Sequence, residues 1–143
     1  MVARPSVVVV DTNVFGAGLL RRGAPLAKLY RPVLEGRAFV LSFQTVAELR
    51  FGALRQGWGT RRLDRLDERV ARAEVVWAGP ELLAEYVALR VRCERVGHAL
   101  AQSHHDADRW IAATSIRLGI PLVSHDAVFR GAPGLLLETT LTS

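Results

Sequence analysis

Short apolar runs alternate with stretches of helical period along this chain, the pattern of an α/β fold. Ser6 to Val10 reads as a first strand. Its unbroken Val7-Val8-Val9-Val10 run suits a strand buried on both faces of a parallel sheet. Pro25 to Glu35 reads as a helix opened by Pro25, with Pro32 expected to kink or shorten it and Gly36 to stop it. Phe39-Val40-Leu41 is a short second strand. A helix that begins at Thr45 runs to about Gly57. A charged helix from Thr60 to Ala73 keeps Leu63, Leu66 and Val70 on one face. Val75-Val76-Trp77 is a third strand, and Pro80 to Val96 a long helix that Gly97 ends. Asp106 to Leu118 is a further helix, ended by Gly119. Leu122-Val123 makes a fourth strand and Leu135-Leu136-Leu137 a fifth. No segment repeats. Gly57-Trp58-Gly59 and His98 to His105 are the expected mobile loops, and neither is long enough to link two domains. The 143 residues therefore predict one domain with one core.

Four carboxylates stand where this pattern changes: Asp11, Glu48, Asp108 and Asp126. Asp11 ends the first apolar run, and Asp126 follows Pro121-Leu122-Val123-Ser124-His125. Acids just past the carboxyl ends of parallel strands lie on the edge where open α/β sheets place their sites. Three of the four also have a local reading. Asp11 would serve as a helix cap or turn residue, Thr45-x-x-Glu48 spells a capping box, and Asp126 would cap the turn Ala127-Val128-Phe129. Asp108 resists such a reading. Its helical neighbours Ile111, Ala112, Ser115 and Ile116 form a core-facing stripe, and a carboxylate heading it must be paired or metal-bound. Asp106 heads the row Arg109, Trp110, Ala113 and Arg117, which reads as mixed and partly solvated, so Asp106 is expected to be the N-cap.

Like charges in one pocket raise each other's pKa, and a cation resolves the conflict. Oxygen donors with no thiolate suit Mg²⁺ or Mn²⁺ rather than zinc. Other chemistries find no support. Gly16-Ala17-Gly18-Leu19-Leu20-Arg21 lacks the third glycine of a dinucleotide loop, and Lys28, the one lysine, follows no glycine as a P-loop requires. His104-His105 reads as a solvated loop pair, since adjacent loop histidines usually point apart.

The net charge is +5, with 19 basic and 14 acidic residues; Lys28 being the one lysine, 18 of the 19 are arginines. Arginine matches phosphate bidentately and stacks on bases, so a phosphate-bearing partner is one reading and a genome-wide bias towards Arg and Ala the other. The single cysteine, Cys93, cannot form an internal disulfide, which fits a reducing cytoplasm. No run of about 18 apolar residues predicts a membrane span. The apolar stretch at the N-terminus is too short for a signal peptide.

With these residues in hand, the chain resembles PIN-domain proteins of the VapC type, the ribonuclease half of a VapBC toxin–antitoxin pair. The resemblance covers nearly the whole chain. It rests on Val8-Val9-Val10-Asp11-Thr12-Asn13, on Thr45-Val46-Ala47-Glu48-Leu49-Arg50-Phe51-Gly52, and on Asp108-Arg109-Trp110-Ile111-Ala112-Ala113-Thr114 continued by Leu118 to Asp126. It implies a three-layer α/β/α sandwich with a short, mainly parallel central sheet. It also implies a Mg²⁺-dependent endoribonuclease, Mn²⁺ being possible, that forms homodimers and is inhibited by a cognate antitoxin. By the resemblance Asp11, Glu48, Asp108 and Asp126 match the acidic, metal-holding positions, and Ser124 the small hydroxyl residue beside the last acid. Thr12 and Asn13 match the positions after the first acid. Arg50 and Arg109, each close after an acidic position, are the first candidates for contact with the RNA backbone. The alternative is a PIN-like module that binds nucleic acid or a partner without cutting. A metal-dependent phosphatase is a third reading, against which the missing phosphate loop speaks.

Overall fold

The computed structural model describes residues 4–142. In chain order it contains β1 (Val7–Val10), α1 (Thr12–Ala17), α2 (Ala24–Leu34), β2 (Ala38–Ser42), α3 (Phe43–Arg55), α4 (Thr60–Ala71), β3 (Glu74–Val76), α5 (Pro80–Val96), α6 (Asp106–Leu118), β4 (Leu122–Val123) and β5 (Leu137–Glu138). The strands form one sheet in the order β3-β2-β1-β4-β5, and every pairing is parallel. The first strand thus lies at the centre, flanked by β2 and β4, which explains its unbroken valines.

Alternate residues of β1 point to opposite faces. Val8 and Val10 enter a core with Phe15, Tyr30, Val46, Leu66 and Val70, drawn from α1, α2, α3 and α4. Val9 enters a second core with Leu82, Leu89, Ile111, Ala112 and Leu122, to which α5 and α6 contribute. Helices therefore cover both faces, giving the three-layer α/β/α sandwich that the resemblance implied. Gly97 and Gly119 end α5 and α6 with φ of 70° and 67°, left-handed values that favour glycine.

Several local expectations are corrected. Six residues after Asp11 form α1, too short a helix for its period to register. The α2 helix continues through Pro32 to Leu34, where the Arg4 guanidinium donates to the carbonyls of Pro32, Val33 and Glu35 at 3.3, 2.6 and 3.2 Å. The α3 helix starts at Phe43, capped by Ser42 Oγ accepting from the Gln44 N–H at 3.2 Å. Thr45 lies inside the first turn, so the Thr45-x-x-Glu48 capping box does not form and Glu48 is released from that role. Trp77 falls outside β3, and the fifth strand sits at Leu137–Glu138 rather than at Leu135 to Leu137. The stretch from His98 to His105 folds into two 3-10 turns, Ala99–Ala101 and Ser103–His105, with Leu100 fully buried.

Candidate active site

The pairing of β1 with β4 sets Val10 beside Val123, so the next residues, Asp11 and Ser124, emerge together at the carboxyl edge of the sheet. Ser124 Oγ donates to Asp11 Oδ2 at 2.6 Å and accepts from the Asp126 N–H at 3.0 Å. Asp11 Oδ1 accepts from the Thr12 N–H at 2.8 Å, capping α1. Asp11 is only 5% exposed. Burial pushes its carboxyl up to about 6; the bonds from Ser124 and Thr12 oppose this, and the charges of Asp108 and Asp126 add to it.

Glu48, on α3, faces the same edge. Its pKa is raised, first by burial and then by the charges of Asp11 and Asp108, with the neighbouring side chains of Gln44 and Thr12 acting the other way. Its Oε1 is buried and without a hydrogen-bond partner. Asp108, in the first turn of α6, lies 2.8 Å from His105 Nδ1. Asp126 accepts from the Val128 N–H at 2.9 Å and caps the turn Ala127–Phe129, as expected. The fold thus brings together four acids that are up to 115 residues apart in the chain, from Asp11 to Asp126.

As the side chains stand, no three His, Cys, Asp or Glu residues among those described are gathered for one ion. Asp11, Asp108 and Asp126 each turn an oxygen towards a protein donor. The donor set nevertheless fits a divalent cation. It is all oxygen, it is electrostatically strained in the ionised state, and it contains an orphaned carboxylate oxygen on Glu48.

Around the acids, Thr12 Oγ1 donates to Thr45 Oγ1 at 3.0 Å. Asn13 is exposed. Both line a cavity of about 340 Å³ with Arg22, Leu26, Leu49 and His125. Tyr30 supports this edge from beneath and has no signal in the sequence. Its hydroxyl, fully buried, donates to the Ser124 carbonyl at 3.0 Å and accepts from the Thr140 N–H at 3.2 Å. With its one proton given to a carbonyl, the hydroxyl accepts from His125 Nδ1 at 2.8 Å. The Ser124-His125-Asp126 segment is therefore tied to α2 and to the Thr139-Thr140 segment.

A family model described as PIN domain matches residues 8–135. The chain belongs to the PIN-domain family. PIN domains are generally nucleases that use divalent metals. No curated protein matches this PIN domain. Solved structures do. It is similar to a chain of VapBC2 from Rickettsia felis bound to a DNA fragment from their promoter, at 20% identity and TM-score 0.75, covering 93% of this chain and 98% of that one. It is also similar to chains of VapBC-5 from Mycobacterium tuberculosis (26%, TM-score 0.67, covering 94% and 98%) and FitAcB from Neisseria gonorrhoeae (25%, 0.68, 91% and 95%). The resemblance to VapC-type proteins drawn from the motifs is thereby upheld.

One expectation about this PIN domain's arginines and one about its sixth helix are overturned by their surroundings. Arg109 is 1% exposed and cannot line an RNA rim. Its guanidinium donates to the carbonyls of Leu100 and Gln102 at 2.6 and 2.7 Å, to Tyr86 Oη at 3.2 and 3.3 Å, and to Asp106 at 3.3 Å. Arg50 is exposed and pairs with Asp67 at 3.4 Å. Two residues from Glu48, it points about 200° away round the helix. Asp106 is the first residue of α6, with His105 at the cap position, and its carboxylate turns to Tyr86 and Arg109 instead of capping. The Asp106 row is mixed and partly solvated, as expected: Asp106 and Arg117 are exposed, whereas α5 covers Arg109 and Ala113 is buried.

Proposed function

We propose that this PIN domain is a Mg²⁺-dependent endoribonuclease, with Mn²⁺ as a substitute, and that it is the toxin of a toxin–antitoxin pair. The observation that carries the reading is the buried, unpartnered Oε1 of Glu48 beside Asp11, two acids whose pKa values burial and neighbouring carboxylates raise. Such an oxygen costs free energy until a cation or a cation-bound water meets it. Asp11, Asp108 and Asp126 would hold the metal, and Glu48 the metal or its water. When bound, the ion neutralises the acids and the phosphodiester and acidifies a water for attack.

The chain's own residues supply orientation. Ser124 holds Oδ2 of Asp11, and the Thr12 N–H holds Oδ1, so the carboxylate enters the site in one rotamer. The Asp126 N–H bond to Ser124 locks the hydroxyl's direction. Thr12 and Asn13, on the wall of the adjoining cavity, are placed to meet the substrate. The VapBC-5 relative named above is a member of a family of toxin–antitoxin systems, which supports an antitoxin partner here; a homodimer and a cytoplasmic setting belong to the same reading. No helix among the described residues is long and apolar enough to cross a membrane.

The test is cleavage of a labelled RNA with Mg²⁺, with Mn²⁺ and with EDTA, and then with the purified antitoxin added. Metal-dependent cleavage, abolished by EDTA and by antitoxin, is expected. RNA binding without cleavage under every metal condition would favour the non-cleaving module.

A further inference from the structure

The α4 helix divides its surface into three sectors. At about 100° per residue, Leu63, Leu66 and Val70 occupy one, and Asp64, Asp67 and Glu68 a second. Arg62, Arg65, Arg69 and, one residue past the helix end, Arg72 fall in a third sector about 80° wide. Among the described residues, none of these four guanidiniums has a carboxylate within ion-pair reach. Arg69 is half-buried and its pKa is lowered, first by burial and then by Arg65 and Arg72. Four like charges gathered without counter-charge raise the free energy of the unliganded protein, and a polyanion relieves it.

Two arginines of this face are interleaved with aromatic rings. Arg62 lies 4.2 Å over the Trp58 ring and Arg69 5.1 Å over Phe15. The Arg62 end of the face lies towards the acidic edge. A space of about 10 Å³ beside Arg62 and Arg65 shares Leu19 and Trp58 with an apolar cavity of about 110 Å³ that reaches Glu48. That cavity in turn shares Gly16, Leu20 and Leu49 with the cavity lined by Thr12, Asn13 and His125.

We propose that Arg62, Arg65, Arg69 and Arg72 form the track for the backbone of a single-stranded RNA, which passes over Trp58 and Leu49 towards the acids. This rests on the nuclease reading above and names how its substrate is held. Arg62 and Arg69 are separated by about 10 Å along the axis, so the row is long enough for successive phosphates of one strand. The partly exposed Trp58 ring beside Arg62 suits a stacked base, which an acidic peptide lacks. The face also relocates the arginine signal from Arg109, which is buried.

The experiment titrates labelled single-stranded RNA onto the full chain carrying Asp108→Asn, in EDTA, over a salt series. One variant adds Arg62→Gln, Arg65→Gln and Arg69→Gln. A control adds Arg90→Gln, Arg92→Gln and Arg95→Gln on α5, across the sheet. Both lose the same charge, and melting curves check that both fold. Each phosphate contact adds about 0.7 to the slope of log K against log salt for single strands, so the α4 variant should lose about 2 and the control nothing. Equal losses in both, or none in either, overturn the track. So does an α4 variant that keeps its RNA slope but no longer binds polyglutamate, which marks a protein-docking face instead. Cleavage by the otherwise unchanged chain in Mg²⁺ is scored separately. Absence of cleavage with the slope difference intact sinks the nuclease reading alone, and cleavage without that difference sinks the track alone.

Discussion

Ser124 Oγ sits 2.6 Å from Asp11 Oδ2, joining two residues 113 positions apart at the ends of neighbouring strands. Both are buried, so the bond is charge-assisted and shielded from water. Ser124→Ala leaves the Asp11 oxygen and the Asp126 N–H without this partner. A loss of about 1–3 kcal/mol of stability is expected. The Asp11 pKa should rise further, because one of the bonds that lowers it is gone. Denaturant unfolding and cleavage rates of this variant check both; unchanged stability would mean that the bond contributes nothing in solution.

Asp11 makes the metal-free protein sensitive to pH. Its carboxyl titrates at about 6 when folded against 3.8 in the reference state. The folded state holds the proton more tightly, so the penalty is full above pH 6 and vanishes below about 4. That difference corresponds to about 3 kcal/mol at pH 7. Melting in EDTA from pH 4 to 7 should show Asp11→Asn gaining on the wild type as pH rises. Mg²⁺ should stabilise the wild type more than the variant and abolish the gain. A difference between the two proteins that is flat with pH counts against the raised value.

Asp106 and Asp108 stand two residues apart on α6 and face different surroundings. Asp108→Asn should lower cleavage by orders of magnitude with little loss of fold. Asp106→Asn keeps an oxygen that accepts from Tyr86 and Arg109, so activity should persist with a stability cost of about 1 kcal/mol. Initial rates at saturating Mg²⁺, read beside melting curves, decide this; a dead Asp106→Asn with an active Asp108→Asn would exchange the two roles.

Arg37 and Glu138 form a two-pronged pair at 2.6 and 2.9 Å that fastens β5 to the start of β2. The Arg37 hydrogen bond holds the Glu138 carboxyl below its ordinary value of 4.5. A depressed acid stabilises above its unfolded pKa, and the contribution is lost as pH falls through the folded value. Glu138 is 32% exposed, so the pair contributes about 1–2 kcal/mol rather than a fully buried pair's worth. Glu138→Gln should lose that amount at pH 7 and little at pH 3. Urea midpoints at the two pH values measure it, and an equal loss at both would exclude the charge as its source.

Much of this molecule was legible along the chain. The valines of β1 read as a central strand because a strand covered on both faces has no reason to alternate. Pro80, Gly97 and Gly119 mark helix ends because φ preferences act within one residue. Asp108 stood out because a stripe of period 3.6 shows which way it points. What neighbouring residues could not determine is which faces other elements cover. The row Asp106, Arg109, Trp110, Ala113 and Arg117 reads as mixed on a helical wheel, and only the fold shows that Tyr86 of α5 and the turn at Leu100 close over its Arg109 and bury it. Glu48 reads as a cap until Ser42 is seen to cap α3 one turn earlier. Tyr30 reads as one more core aromatic until its hydroxyl reaches Ser124, 94 residues away. Local dihedral and burial preferences are written in adjacent residues and set the elements and their inward faces. The strand order sets Asp11 beside Ser124, and helix packing sends Arg109 inward. Those partners lie far apart in the chain and meet only when the sheet closes.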